Sequence, residues 1–122
     1  QIYNMKRHNF KELKIWQASM ELVKDTYSAT NDFPKSELYG LTQQIRKAAV
    51  SVPSNIAEGC GRGSDAQLAH FLDIAQGSAF ELETQLYLAN ALNFLNTAEM
   101  NILVTKLTAV QKMIDGFKNK IS

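Results

Sequence analysis

Cysteine occurs once, at Cys60, in a chain of 122 residues. One thiol closes no internal disulfide, so a reducing cytoplasm is the expected setting. Histidine occurs twice, at His8 and His70, which with one cysteine is too few for a four-ligand zinc site. No apolar run approaches the roughly 18 residues of a membrane span, and no membrane role is expected. No alternating run is long enough for a strand. The start, QIYNMKRHNF, carries charge but no apolar core, so it does not read as a signal peptide. With Met5 close behind Gln1, the first four residues read as an extension or tag remnant. Residues 1–9 are taken as an N-terminal extension and 10–122 as a single domain, long enough to bury a modest core.

The net charge is only +1, yet it is unevenly spread. Residues 1–14 hold Lys6, Arg7, Lys11 and Lys14 against Glu12, and residues 106–122 hold Lys106, Lys112, Lys118 and Lys120 against Asp115, giving +3 at each end. The segment between them has five basic and ten acidic residues, hence −5. Two basic ends flank an acidic middle.

Helical spacing accounts for nearly all of the chain. Leu13, Trp16, Met20, Val23 and Tyr27 repeat at three and four residues and predict one apolar helix face, ended by Asn31-Asp32-Phe33-Pro34. A second helix is expected from near Ser36, with Leu38, Leu41, Ile45, Ala48, Val52 and Ile56 inward. It continues through Pro53 with a kink. Gly59-Cys60-Gly61-Arg62-Gly63 reads as a turn with a left-handed glycine cap. Ser64 and Gln67 have capping-box spacing at the start of a third helix, whose stripe is Leu68, Phe71, Ala75, Ser78, Leu82, Leu86 and Ala89. Asn96 or Thr97 caps a fourth, with Met100, Leu103, Leu107, Val110, Ile114, Phe117 and Ile121 inward. Four helices with short connections predict an all-α, antiparallel up-down four-helix bundle.

Two helices carry more apolar surface than such a bundle uses. Ile15, Ala18, Leu22 and Ala29 form a second strip on the first helix, and Ala69, Phe80, Tyr87 and Ala91 on the third. Uncovered strips of this size suggest homo-oligomerisation. Arg46, Glu81 and Glu83, off the core stripes, are then read as ion-pair partners between protomers.

Up-down topology gathers Lys6, Arg7, Lys11, Lys14, Arg62, Lys118 and Lys120 at one end, beside the positive N-terminus of the third helix. This is a candidate contact surface for RNA or DNA phosphates; solvated lysines at helix ends are the alternative. Asn55, Glu58 and Arg62 cluster nearby, with local roles favoured: Asn55 on backbone groups loosened by Pro53, Glu58 beside a base. Reaction chemistry finds little footing. The G-x-G-x-G run has neither a preceding strand nor a following Gly-Lys-Ser/Thr, as nucleotide-binding motifs require. Neither histidine lies three residues after a glutamate, as a di-iron bundle needs. Arg62 and His70, separated by seven residues, narrowly miss the Arg-x4–6-His spacing of helical ribonucleases. Cys60 lacks an evident base. No enzyme activity, cofactor or metal is expected.

Taken together, Glu37-Leu38-Tyr39-Gly40-Leu41, Gln44-Ile45-Arg46-Lys47-Ala48-Ala49, Asn55-Ile56-Ala57-Glu58-Gly59, Gly61-Arg62, Gly77-Ser78 and Glu81 stand in one order. With Phe10, Leu13, Trp16 and Gln17 upstream, they resemble the bacterial four-helix bundle family of 23S rRNA intervening-sequence proteins. The resemblance runs from residue 8 to about 95, and the last helix matches by pattern only. It implies a ring-like homopentamer of four-helix protomers. A branch similar in fold, the accessory variability proteins of diversity-generating retroelements, binds nucleic acid and a reverse transcriptase through basic surfaces; this chain is less basic than the resemblance to that branch leads one to expect. The expected function is therefore a non-enzymatic oligomer binding RNA or DNA phosphates through its basic end. A scaffold for an unidentified protein partner is the alternative, and a helical ribonuclease the third reading.

Overall fold

The computed structural model describes residues 8–122, so Lys6 and Arg7 lie outside the described residues. The described residues form four α-helices: α1 (Lys14–Thr30), α2 (Leu41–Cys60), α3 (Asp65–Ala91) and α4 (Thr97–Ile121). Short 3-10 turns at Phe10–Glu12 and Lys35–Glu37 precede α1 and α2, and no strand occurs among the described residues. α1 packs on α2 and α4, and α3 packs on the same two neighbours, closing a four-membered bundle. Cross-helix bonds fix the antiparallel sense. Arg46 near the start of α2 reaches Thr30 at the end of α1, and Gly59 near the end of α2 meets Leu68 near the start of α3. Asp73 pairs with Lys118, and Asp25 with Lys106.

The turn chemistry differs from expectation at one point. No described glycine has a positive φ. Gly61 caps α2 at φ −85°, and Gly59 does a different job. A Cβ at Gly59 would stand 2.9 Å from both Leu68 Cδ1 and Phe71 Cβ, so the missing side chain lets α2 and α3 touch. The left-handed residue is instead Asn93, at φ 66°, which ends α3 while Phe94 N–H donates to the Ala89 carbonyl at 2.8 Å. Asn96 Oδ1 then caps α4 by accepting from Glu99 N–H at 2.8 Å. α2 starts at Leu41, later than the spacing predicted, because Gly40 breaks the chain direction and the Glu37 carboxylate accepts from Leu41 N–H at 3.2 Å. Leu38 is left outside the core. From there α2 runs unbroken through Pro53.

The larger correction concerns α1. Its buried seam is Ile15, Ser19, Leu22, Thr26 and Thr30, with Ile15 only 5% and Leu22 only 1% exposed. These two residues, assigned above to an outer strip, are core. Met20 and Tyr27, assigned to the core, are exposed. Ser19, Thr26 and Thr30 make the seam look polar in sequence. Each returns its hydroxyl to the carbonyl four residues earlier, Thr26 to Leu22 at 2.7 Å and Thr30 to Thr26 at 2.9 Å. Self-satisfied hydroxyls of this kind can be buried without a cross-helix partner.

Candidate functional site

The topology brings the start of α1, the α2–α3 turn and the end of α4 to one end, as expected. His8 packs edge-on against Phe117, with ring centroids 5.3 Å apart. A cavity of about 490 Å³ opens between these elements, with His8, Arg62, Ser64, Asp65 and Lys120 on its walls and Gly59 and Cys60 among its lining. Ser64 caps α3 by accepting from Gln67 N–H at 3.2 Å, while Gln67 Oε1 accepts from Gly63 N–H at 3.2 Å. Asp65 occupies the first turn of α3, where its negative charge complements the helix dipole.

The charges at this end are less uniform than the sequence suggested. Arg62 pairs with Glu58 at 2.7 Å and lies 4.7 Å over the Phe71 ring. Lys118 is paired with Asp73. Among the described residues, Lys11, Lys14 and Lys120 are the candidates that make no ion pair. Lys6 and Arg7 fall outside the description.

Local roles account for several other residues. Asn55 donates to the Ser51 carbonyl at 2.8 Å and to Ser51 Oγ at 2.9 Å, and Ser51 bonds Ser78 at 2.8 Å across the α2–α3 contact. The carbonyl freed by Pro53 is that of Ala49, four residues before it, so Asn55 serves the interhelix contact instead. Cys60 is 3% exposed, and burial pushes its thiol above the ordinary range, which disfavours the thiolate. Arg62 and His70 line one shallow depression beside Phe71, with Arg62 held by Glu58. Among the described residues no three His, Cys, Asp or Glu side chains come together as a metal site. No described helix is long and apolar enough to cross a membrane.

A second surface is more distinctive. α3 buries Leu68, Leu72, Ala75, Ala79, Leu82, Leu86 and Ala89 on its inner side. It nonetheless exposes Ile74, Phe80, Tyr87 and Leu88, with Phe80 at 53% and Tyr87 at 46%, and Leu92 just past its end is exposed as well. Gly77 lies on the same outer arc with no atom within 4 Å of where its Cβ would be. Large apolar side chains gathered on the outer side of a helix mark a face that a partner ordinarily covers.

The family model for the 23S rRNA-intervening sequence protein matches residues 11–116. The chain belongs to that family. No curated protein matches it. Among solved structures it is similar to a protein with unknown function from the S23 ribosomal protein family of Bacteroides thetaiotaomicron, with a TM-score of 0.77 and 20% identity. That match covers 85% of this chain and 97% of the other, and at this identity it speaks for the shared fold alone.

Within this family member, the residues assigned above to protomer contacts divide. Ile15 and Leu22 are core, and Ala18 is half-buried against it. Arg46 is held inside the protomer: Nε donates to Thr30 Oγ1 at 2.9 Å, and its guanidinium lies 4.6 Å over the Tyr27 ring. Glu83 accepts from Gln111 and from the Tyr87 hydroxyl, each at 2.9 Å. Phe80 and Tyr87 stay on the surface. Sequence reasoning missed a groove of about 500 Å³ between α1 and α2, lined by Tyr27, Leu38, Tyr39, Arg46, Lys47 and Val50. Of its lining, Tyr27 and Leu38 were read in the sequence as parts of inward stripes.

Proposed function

We propose that the protein is a non-enzymatic, cytoplasmic scaffold that assembles from copies of itself, with the ring of five implied by its family resemblance as the expected stoichiometry. The outer arc of α3 carries this reading: four large apolar side chains stand exposed along one helix. A lone bundle of this size would leave them wet, whereas a second molecule laid on the helix removes them from water. Each fully covered side chain of this class contributes about 1.5–3 kcal/mol before the entropic cost of association. Sedimentation equilibrium of the wild-type protein tests the reading. A protomer mass of 13.7 kDa at micromolar concentration overturns it.

A second reading draws on the cavity at the basic end. Lys11, Lys14 and Lys120, with Lys6, Arg7, Arg62 and Lys118, would contact RNA or DNA phosphates, and assembly would repeat that surface around the oligomer. Such binding weakens with salt, with a log–log slope of about −0.9 per phosphate neutralised on a duplex. Fluorescence anisotropy with a labelled structured RNA measures that slope. A flat response, or affinity unchanged in Lys11→Glu/Lys14→Glu/Lys120→Glu, overturns this second reading and leaves a protein partner as the scaffold's cargo.

A further inference from the structure

We propose that the α1–α2 groove is a binding site for a small organic anion, an aromatic carboxylate of the size of naphthoate. The proposal goes beyond the self-assembly argued above and does not depend on it. At about 500 Å³ the groove has the volume of a small-molecule site, and its lining mixes apolar side chains with a few polar groups, as such sites do.

Charge selects an anion. The lining holds Arg46 and Lys47 and no acidic residue. Neither cation forms an ion pair among the described residues, and residues 1–7 contain no aspartate or glutamate that could supply one. Lys47 also borders a depression that holds Glu81, without pairing to it, so Arg46 is the principal anchor. Its guanidinium is set in place within the protomer: Nε donates to Thr30 Oγ1 at 2.9 Å, and the Tyr27 ring centroid lies 4.6 Å away. The one further bond, to Asn31 Oδ1 at 3.4 Å, is long and to a neutral acceptor, so the positive charge stays uncompensated. A guanidinium held this way can meet a carboxylate through its terminal N–H groups at little ordering cost.

The rest of the groove selects a flat apolar body. Tyr39 is 86% exposed, and among the described residues no aromatic ring or cation covers its face. Leu38 and Val50, also exposed, add apolar surface to the same groove. An aromatic ring laid on Tyr39 covers these side chains and gains an offset stack. Thr42, in the lining, is 3% exposed, and its hydroxyl has no hydrogen-bond partner among the described residues. Buried hydroxyls ordinarily have one, and a carboxylate entering the groove brings an acceptor that the protein itself does not provide.

Isothermal titration calorimetry of the whole protein with 2-naphthoate tests the proposal, with uncharged 2-naphthamide as the control. The expected result is saturable binding of one 2-naphthoate per protomer, weaker at high salt and about fivefold or more weaker for the amide. Tyr39→Ala and Arg46→Gln should each weaken it by about fivefold or more, and Thr42→Val by less. Lys120→Gln, at the basic-end cavity, should leave it unchanged. Arg46→Gln also removes the contacts to Thr30 and Tyr27, so Tyr39→Ala, at an exposed residue, is the variant that spares the fold, and circular dichroism verifies both. No saturable heat at millimolar 2-naphthoate overturns the proposal. Equal affinity for the amide does so too, as does binding that neither Tyr39→Ala nor Arg46→Gln weakens. Sedimentation separates this site from self-assembly. A Tyr39→Ala protein lighter than wild type makes the groove a contact between copies and overturns the ligand site, whereas a monomeric wild type that binds 2-naphthoate as described supports the site while self-assembly fails.

Discussion

Replacing Gly59 by alanine measures how closely α2 and α3 are pressed together. The new Cβ would meet Leu68 Cδ1 and Phe71 Cβ at 2.9 Å and the Leu68 carbonyl at 3.3 Å. Leu68 can rotate its methyl away. Phe71 Cβ is fixed to the α3 backbone, so the helices themselves must part by several tenths of an ångström. Overpacking of this kind costs about 1–3 kcal/mol. Alanine returns at most about 1 kcal/mol through helix propensity, and less here, because Gly59 is the penultimate residue of α2. The net expectation is a loss of about 1–2 kcal/mol. With a urea m-value of about 2 kcal/mol per molar, the midpoint should fall by roughly 0.5–1 M. Gly116→Ala is the control: it lies within α4 with no atom within 4 Å of its Cβ site, and should gain about 0.5–1 kcal/mol. Both are measured at one protomer concentration, since assembly would otherwise shift the midpoint. A Gly59→Ala protein as stable as Gly116→Ala would refute the close-contact argument.

Three further outcomes are expected. Leu22→Ala should cost about 2–5 kcal/mol and Met20→Ala under about 1 kcal/mol by urea unfolding; equal costs would contradict the buried seam assigned to α1. Cys60 should react slowly with an aromatic disulfide reagent at neutral pH and rapidly once urea unfolds the chain, because burial raises its thiol and closes access; reaction at the unfolded rate from the start would contradict this. The Tyr87 phenol should titrate above its ordinary value, first because it donates to Glu83, then through desolvation and the Glu83 charge. Any stability from that bond is present while the phenol holds its proton and is lost as pH rises through the raised value. Phenolate absorbance should show Tyr87 moving down in Glu83→Gln, and an unmoved titration would count against the bond.

The four helices were legible because Leu103, Leu107, Val110 and Ile114 on α4, and Ile45, Ala48, Val52 and Ile56 on α2, keep the 3-4 spacing without interruption. Caps at Ser64 and Asn96 were legible for the same local reason: each places a side-chain acceptor three residues before the N–H it satisfies. α1 was misread because periodicity counts hydroxyl residues as polar. Whether a threonine is buried depends on whether its hydroxyl finds the carbonyl one turn back, which spacing alone does not reveal. The glycine turn was misread for a parallel reason, since a glycine needed for helix contact looks in sequence like one needed for a left-handed cap. At the basic end, the gathering of chain segments followed from topology. The pairing of Arg62 with Glu58 was open to helical spacing, while that of Lys118 with Asp73 depends on the register of α3 against α4. The α1–α2 groove stayed hidden because it exists only where two helices meet.

Self-assembly through α3 is the central claim, and sedimentation equilibrium of the unmodified protein at low and physiological salt tests it most directly. The account predicts a stable oligomer, five times 13.7 kDa, whose mass holds over a tenfold dilution from micromolar concentration. A single species at 13.7 kDa would contradict it, and the exposed arc of α3 would then need another explanation.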